Sequence, residues 1–320
     1  MEHTMEPFAV TRIAHITPRS QNHRWLVDGL WADQAVGFIG GHPKAGKTWL
    51  ALELAVAVAG GRPCLGRFPV RHKGHVLLYA AEDTADAIRQ RVCAIARTRG
   101  IDDISRLAIG LITEQNLRLD SDDHQQRLAA TVDKLRPRML ILDPLVRLHR
   151  ADENSAADVS SLLHYLRQLQ RSCAVAIVLV HHVRKAAANQ PGQALRGSGD
   201  LHAWSDSSLY LLPRKGRLLL QAEHRALPSP SPVAVEIAVQ PQPHICVIGD
   251  DEEEQKPQPD PLADRILATL LKTPMTRTDL RAALEVRNER LGQVLADLED
   301  AGRVHRLNGR IAAVVPVPIP

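Results

Sequence analysis

The run GHPKAGKT, Gly41–Thr48, constrains this chain more than any other feature. It has the spacing GxxxxGK[ST] and lies between an apolar run, AVGFIG at 35–40, and an Ala- and Leu-rich stretch over 47–59. Glycines at that spacing let the backbone curl so that successive N–H groups converge on an anion. A helix that starts there adds the positive end of its dipole. The pattern predicts a phosphate-binding loop in a strand–loop–helix unit, built from Gly41, His42, Pro43, Lys44, Ala45, Gly46, Lys47 and Thr48, with Trp49 following. Lys47 is placed for the β- and γ-phosphates of a nucleotide, and the Thr48 hydroxyl for Mg²⁺.

Further short apolar runs follow at 74–81, 138–143 and 174–181, nearly all aliphatic, as strands buried on both faces of a parallel sheet read. Helical stretches separate them: 84–99 begins at a Glu-Asp-Thr sequence suited to a cap, with Asp83 as the expected capping group. Leu162, Leu163, Leu166 and Leu169 recur along one face of 155–171. Alternating strands and helices predict βαβ units and a three-layer α/β core. Three more runs, 207–212, 217–223 and 233–239, read as antiparallel strands completing one edge of the sheet.

Two carboxylates stand at predicted strand ends. Asp143 closes RMLILD, the position from which an acid orients Mg²⁺ through its water ligands. Pro144 follows it rather than a glutamate, so the base that activates water is expected elsewhere. Glu82, closing LLYAAE on another buried strand, fits that task. His181 and His182 end a third strand; neighbours on a strand point to opposite faces, so the pair is not expected to share a metal ion. A phosphate or water sensor at this strand end, or a structural polar pair, are the readings that remain.

Composition narrows the function. Hydrophobic residues at 44% and charged residues at 24% suit a chain with a sizeable core. Aromatics at 3% exclude a base-stacking sheet. No apolar run approaches the ~20 residues of a membrane helix, and the N-terminus lacks the pattern of a secretory leader. Cys64, Cys93, Cys173 and Cys246 lie too far apart in sequence for a zinc knuckle or a redox pair. A cytoplasmic chain without a membrane partner is expected. Its net charge of +4 is compatible with a polyanion but too mild to demonstrate one.

The chain divides into an arm at 1–24, the α/β domain at 25–248, an acidic Pro-rich linker at 249–261 and a second, smaller module at 262–316. The last reads as three helices, 263–271, 277–284 and 288–301, then two short strands joined at Asn308-Gly309. This is the pattern of a winged helix-turn-helix domain. Arg287, Asn288 and Arg290 at the start of its third helix, with Arg303, Arg306 and Arg310 on the hairpin, stand where such modules meet DNA. Asp297, Glu299 and Asp300 oppose that charge, and winged helices also serve as protein-contact modules.

Together, GGHPKAGKTWLALELA, YAAEDT, LILDPLVRLH, LVHHVRK and LRGSGD give the chain a resemblance to RecA-like ATPases of the AAA family, nearest in pattern to the RepA-type plasmid-replication hexameric helicases. The resemblance spans about 25–239 and implies a RecA-like P-loop NTPase core. It implies ATP and Mg²⁺ as ligands, Glu82 as general base, Asp143 as the acid behind the metal's water, and His181 as the strand-end sensor. It implies an arginine finger at Arg225 reaching a neighbouring subunit's ATP, phosphate or nucleotide contacts from Arg91 and Arg196, and a homo-oligomeric ring, a hexamer in this family. The basic start of 183–195, Arg184 and Lys185, would line a pore for single-stranded DNA, while duplex DNA would meet the C-terminal module. That module is itself a departure, since RepA-type enzymes are typically a single ATPase domain. The expected activity is ATP hydrolysis coupled to DNA translocation or remodelling. An ATP-switched DNA-binding regulator or assembly protein with slow hydrolysis is the alternative.

Overall fold

The first strands form a small antiparallel hairpin, β1 (Trp25–Val27) and β2 (Trp31–Ala32). The chain then enters β3 (Val36–Gly41) and, through the glycine-rich turn, α1 (Lys47–Gly60). It continues as β4 (Val76–Ala80), α2 (Ala85–Thr98), β5 (Ile109–Leu111), α3 (Asp122–Leu135) and β6 (Met139–Asp143). After these come α4 (Ala156–Cys173), β7 (Ala176–His182), α5 (Gly199–Trp204) and four strands, β8 (Ser207–Arg214), β9 (Arg217–His224), β10 (Val233–Ala238) and β11 (His244–Val247). This is a computed structural model, and it describes residues 8–17, 24–150, 156–182, 199–214, 217–248, 261–286, 288–300, 303–307 and 310–313.

Nine strands make one sheet in the order β11-β10-β9-β8-β3-β7-β6-β4-β5. From β8 to β5 all neighbours are parallel, and β8 through β11 are antiparallel. Alternation along each central strand divides the core in two. Val76, Leu78, Met139, Ile141, Val178 and Val180 face α1 and α2, whereas Leu77, Tyr79, Leu140, Leu142, Ile177 and Leu179 face α3 and α4. The three layers expected from the βαβ pattern are therefore present, and each predicted strand of the core is found with slightly different ends. The hairpin β1–β2, β5, α3 and β11 are additions to the expected elements. In α3 only Leu128 and Val132 are buried, too few for a helical period to stand out.

Close approach of β3 to β8 depends on Gly37. A Cβ there would lie 1.6 Å from the Ser207 carbonyl oxygen, so no larger residue fits without moving backbone. At the same end of the sheet, His224 Nδ1 lies 3.0 Å from Ser207 Oγ and Nε2 lies 3.0 Å from the Gly29 carbonyl, tying β9 to the β1–β2 turn.

Past its first turn, helix α1 is apolar around its circumference and correspondingly buried, and a charge, Glu53, is buried with it. Glu53 has no exposed surface; its Oε1 accepts from Arg99 Nε at 2.7 Å and from the Leu65 backbone N–H at 2.6 Å. Arg99 in turn donates to the Ile245 carbonyl at 3.2 Å. Burial pushes the Glu53 carboxyl up from its ordinary value, and the Arg99 charge opposes that shift. One ion pair thus fastens α1 and the end of α2 to the edge strand β11, and it also holds the turn in which Leu65 takes a φ of 56°.

Contacts separate Met1–Ile248 from a second unit, Gly249–Pro320. The second unit holds α6 (Pro261–Leu270), α7 (Arg277–Leu284) and α8 (Asn288–Asp300), then the antiparallel pair β12 (Val304–Leu307) and β13 (Arg310–Ala313). Leu280, Leu284, Leu291, Leu295 and Ile266 meet in its own core. In α7, Thr276 caps the first turn by accepting from the Asp279 N–H at 3.2 Å. The expected linker falls almost wholly outside the described residues.

Removing one partner of the Glu53–Arg99 pair strands a buried charge. Arg99→Ala is expected to lower unfolding free energy by roughly 3 kcal/mol, and Glu53→Gln in the same chain to restore part of it, read by urea denaturation. Equal losses in the single and double variants would contradict this.

Candidate nucleotide site

The phosphate loop bends where its sequence allows. Gly46 has a φ of 88° and precedes the first turn of α1, and Lys44 also adopts the left-handed region at 64°. The Ala45 N–H donates to the His42 carbonyl at 3.2 Å, closing the turn. Lys47, nearly buried, folds back over it: Nζ donates to the His42 carbonyl at 3.0 Å and meets His182 Nδ1 at 3.2 Å. Burial lowers the Lys47 pKa, and the charges of Asp143 and Glu82 work against that shift.

Parallel pairing brings three strand ends to this loop. The register places Gly41 opposite His182 on β7 and Ala80 opposite Asp143 on β6. Thr48 Oγ1 donates to Asp143 Oδ2 at 2.7 Å, so the hydroxyl and carboxylate expected to serve one cation touch each other. Burial, with Asp83 and Glu82 nearby, pushes the Asp143 carboxyl up to about 6 despite that hydrogen bond. Lys47, Thr48, Trp49, Glu82, Arg91 and His182 line one cavity of about 280 Å³ with Asp143. Ile237 of β10 closes its rim; a Cβ on Gly46 would lie 2.9 Å from the Ile237 Cδ1. A neighbouring groove of about 550 Å³ shares Trp49 and Arg91 and adds Arg97, Gln242 and Pro243.

Two carboxylates beside Asp143 carry their own cations. Asp83 binds Arg91 through two hydrogen bonds, 2.7 and 3.1 Å, and the guanidinium stands 5.5 Å from the centre of the Trp49 ring. The helix cap expected from Asp83 is supplied instead by Thr84, whose Oγ1 accepts from the Ala87 N–H at 3.2 Å. Asp83 is one residue too early for that bond and is spent on Arg91. Glu82 accepts from Arg147 Nε at 2.7 Å.

The strand-end histidine in the cavity is His182, not His181. Odd and even positions of β7 face opposite layers, and the even ones, with Val178 and Val180, face α1. His181 is 2% exposed and packs near Phe38, ring centres 6.1 Å apart. Arg225 lies at the end of the sheet opposite the phosphate loop, because β8 runs parallel to β3 and β9 returns. There it pairs with Asp206 and with the Ala203 carbonyl, so it does not meet its own chain's phosphate loop. Arg184, Lys185, Arg196 and Arg287 lie outside the described residues. In the second unit Asn288, Arg290, Arg303 and Arg310 are exposed.

The donor set, one hydroxyl and one carboxylate, fits a hard divalent cation, whose remaining ligands would be phosphate oxygens and water. Among the described residues no three His, Cys, Asp or Glu side chains gather into a metal site of their own. Nor is any described helix long and apolar enough to cross a membrane.

The strand carrying the phosphate loop is separated by β7 from the strand carrying Asp143, and Glu82 follows the strand beyond it. This order, with the loop, defines a RecA-like α/β core of the P-loop class. The chain belongs to a family of AAA domains, which matches residues 2–188. It is 29% identical over 178 residues to the DNA repair protein RadA of Haemophilus influenzae, an alignment that takes in 53% of this chain and 33% of RadA. The chain therefore spans about a third of the length of that relative. Two solved structures are similar, each with a TM-score of 0.46: the RadB recombinase, at 18% identity over 68% of this chain and 92% of that one, and a KaiC-like protein of Pyrococcus horikoshii, at 16% over 70% and 94%.

A carboxyl raised in the folded state favours folding below its ordinary pKa and loses that contribution as pH rises through about 6. Asp143→Asn removes the titration. It is expected to stabilise the nucleotide-free protein at pH 8 by on the order of 2 kcal/mol, with the gain vanishing near pH 4, while abolishing Mg²⁺-dependent nucleotide binding. Urea unfolding at several pH values and a Mg²⁺ titration check both halves; a gain independent of pH would contradict the assignment.

Proposed function

We propose that this chain hydrolyses ATP with Mg²⁺ and couples hydrolysis to movement on, or remodelling of, DNA, in the manner of RepA-like helicases. One observation carries the reading: a single cavity joins Lys47, the Thr48–Asp143 hydrogen bond of 2.7 Å and Glu82. The loop N–H groups and Lys47 would cradle the phosphates, with Lys47 exchanging its bond to the His42 carbonyl for phosphate oxygen. Thr48 and, through water, Asp143 would hold the cation. Mg²⁺, held there, would supply positive charge to offset the charge that develops on the phosphates. Glu82 polarises the attacking water for in-line displacement, and His182 reports the γ-phosphate to β7. The groove beside Trp49 and Arg91 is the space for the base and ribose.

Several features support a nucleic-acid partner and assembly. One relative, RadA, is a DNA repair protein. The second unit's three helices and hairpin suit a winged helix, with Asn288, Arg290 and Arg310 exposed for a phosphate backbone. Arg225, kept away from its own phosphate loop, is reserved in this reading for a neighbour's ATP in a ring. The exposed cations of the second unit also favour the other reading, a regulator that selects duplex sites and uses ATP as a switch.

ATP hydrolysis with and without single-stranded DNA separates the two. The motor reading expects stimulation by DNA, a rate per subunit that rises with protein concentration, and a loss of ~10²–10⁴-fold in Glu82→Gln. Slow turnover indifferent to DNA and concentration would leave the switch, and a fully active Glu82→Gln would remove Glu82 as the base.

A further inference from the structure

The turn between β10 and β11 carries a side chain to which phosphate binding and water activation give no role. It reads Gln240-Pro241-Gln242-Pro243-His244. Gln242 and Pro243 line the groove of about 550 Å³ that continues the phosphate cavity past Trp49 and Arg91. A proline on each side of Gln242 narrows the backbone's freedom: each ring fixes its own φ, and Pro243 disfavours helical backbone at Gln242. The turn is also fixed at its base. Nδ1 of the buried His244 ring stands 2.7 Å from the Gln242 carbonyl. The carbonyl of the next residue, Ile245, accepts from Arg99, the arginine that Glu53 holds. The half-buried Gln242 side chain is therefore presented to the groove from a braced backbone.

A flat base needs apolar walls and a few polar groups that identify its edge. Trp49 and Ala94 from the two helices and Pro243 from the turn supply the walls. Most polar groups of the groove are already engaged. Arg91 is spent on Asp83 through two hydrogen bonds, and Gln90 Nε2 donates to Asp86 Oδ2 at 2.6 Å. The Gln242 amide has no partner among the described residues and offers a donor and an acceptor side by side. We propose that Gln242 is the specificity-determining residue of this site. Its amide accepts from the 6-amino group of adenine and donates to N7, so the groove selects adenine over guanine nucleotides. The inference rests on the reading of this groove as the seat of base and ribose. Along the same edge guanine presents two acceptors, O6 and N7, and the amide oxygen is then set against one of them. Arg89 and Arg97 pull the other way, since a guanidinium matches those two acceptors. Both are exposed, however, and ordering a long exposed side chain costs conformational entropy that the braced turn has already met for Gln242.

The test measures equilibrium binding, so it does not depend on hydrolysis. The full chain with Mg²⁺ is titrated with ATP, GTP and 7-deaza-ATP, in which a C–H replaces N7, in wild type, Gln242→Ala and Lys47→Ala. Wild type is expected to bind GTP about thirtyfold more weakly than ATP, the discrimination of one bidentate pair. It is expected to bind 7-deaza-ATP about fivefold more weakly, the loss of one hydrogen bond. Gln242→Ala is expected to bind ATP more weakly than wild type does, and all three nucleotides within about threefold of one another. A merely structural Gln242 would weaken the three alike and leave their ratios as they were. Equal or tighter binding of GTP by wild type, or ratios that persist in Gln242→Ala, overturns the proposal. Failure of the underlying reading looks different: no nucleotide binds, or Lys47→Ala leaves every affinity unchanged, and the cavity is then not a nucleotide site.

Discussion

The parallel registers of β3, β7, β6 and β4 are the constraint on which the site depends. A parallel sheet brings the carboxyl ends of its strands to one edge, and here that edge collects the phosphate loop, His182, Asp143 and Glu82 from segments far apart in sequence. A slip of one residue in β7 would turn His182 away from Lys47 and bring His181 toward it. Gly37 matters for the same reason, since a side chain there would push β3 off β8 and carry the phosphate loop with it.

Crowding of charge shapes the site next. Three carboxylates, Glu82, Asp83 and Asp143, gather within one cavity, and each has its own partner: Arg147, Arg91 and the Thr48 hydroxyl. These partners differ in strength: Asp83 is held by a two-pronged guanidinium, Asp143 by one neutral hydroxyl and Glu82 by a pair open to water. On the other side of α1, a second charge, Glu53, is buried with Arg99 and takes no part in the cavity. Its partner Arg99, just past the end of α2, also donates to β11 and so ties together the elements that carry Arg91 and the groove beside it.

Much of this is legible along the chain itself. The loop motif, the four apolar strand runs of the parallel core and the carboxylates ending two of them are local patterns. Local rules govern them: glycine tolerates left-handed backbone, and aliphatic runs of strand length bury on both faces. Less regular elements leave no such trace. α3 buries two side chains only, and β5 is three residues long.

What tertiary structure alone decided is which face each side chain takes and which ion pairs form. Alternation along β7 says that His181 and His182 diverge, but only the packing of α1 against the Val178–Val180 face tells which of them meets Lys47. Capping position, not acidity, left Asp83 free for Arg91. The pairing of Glu82 with Arg147 joins residues that follow different strands, and the removal of Arg225 to the far end of the sheet follows from the direction of β9. The sequence by itself determined the loop, the strand ends and the kind of chemistry they carry, because those depend on neighbours along the chain. Partner choice among the charges depends on register and on helix placement, which exist only once the sheet has formed.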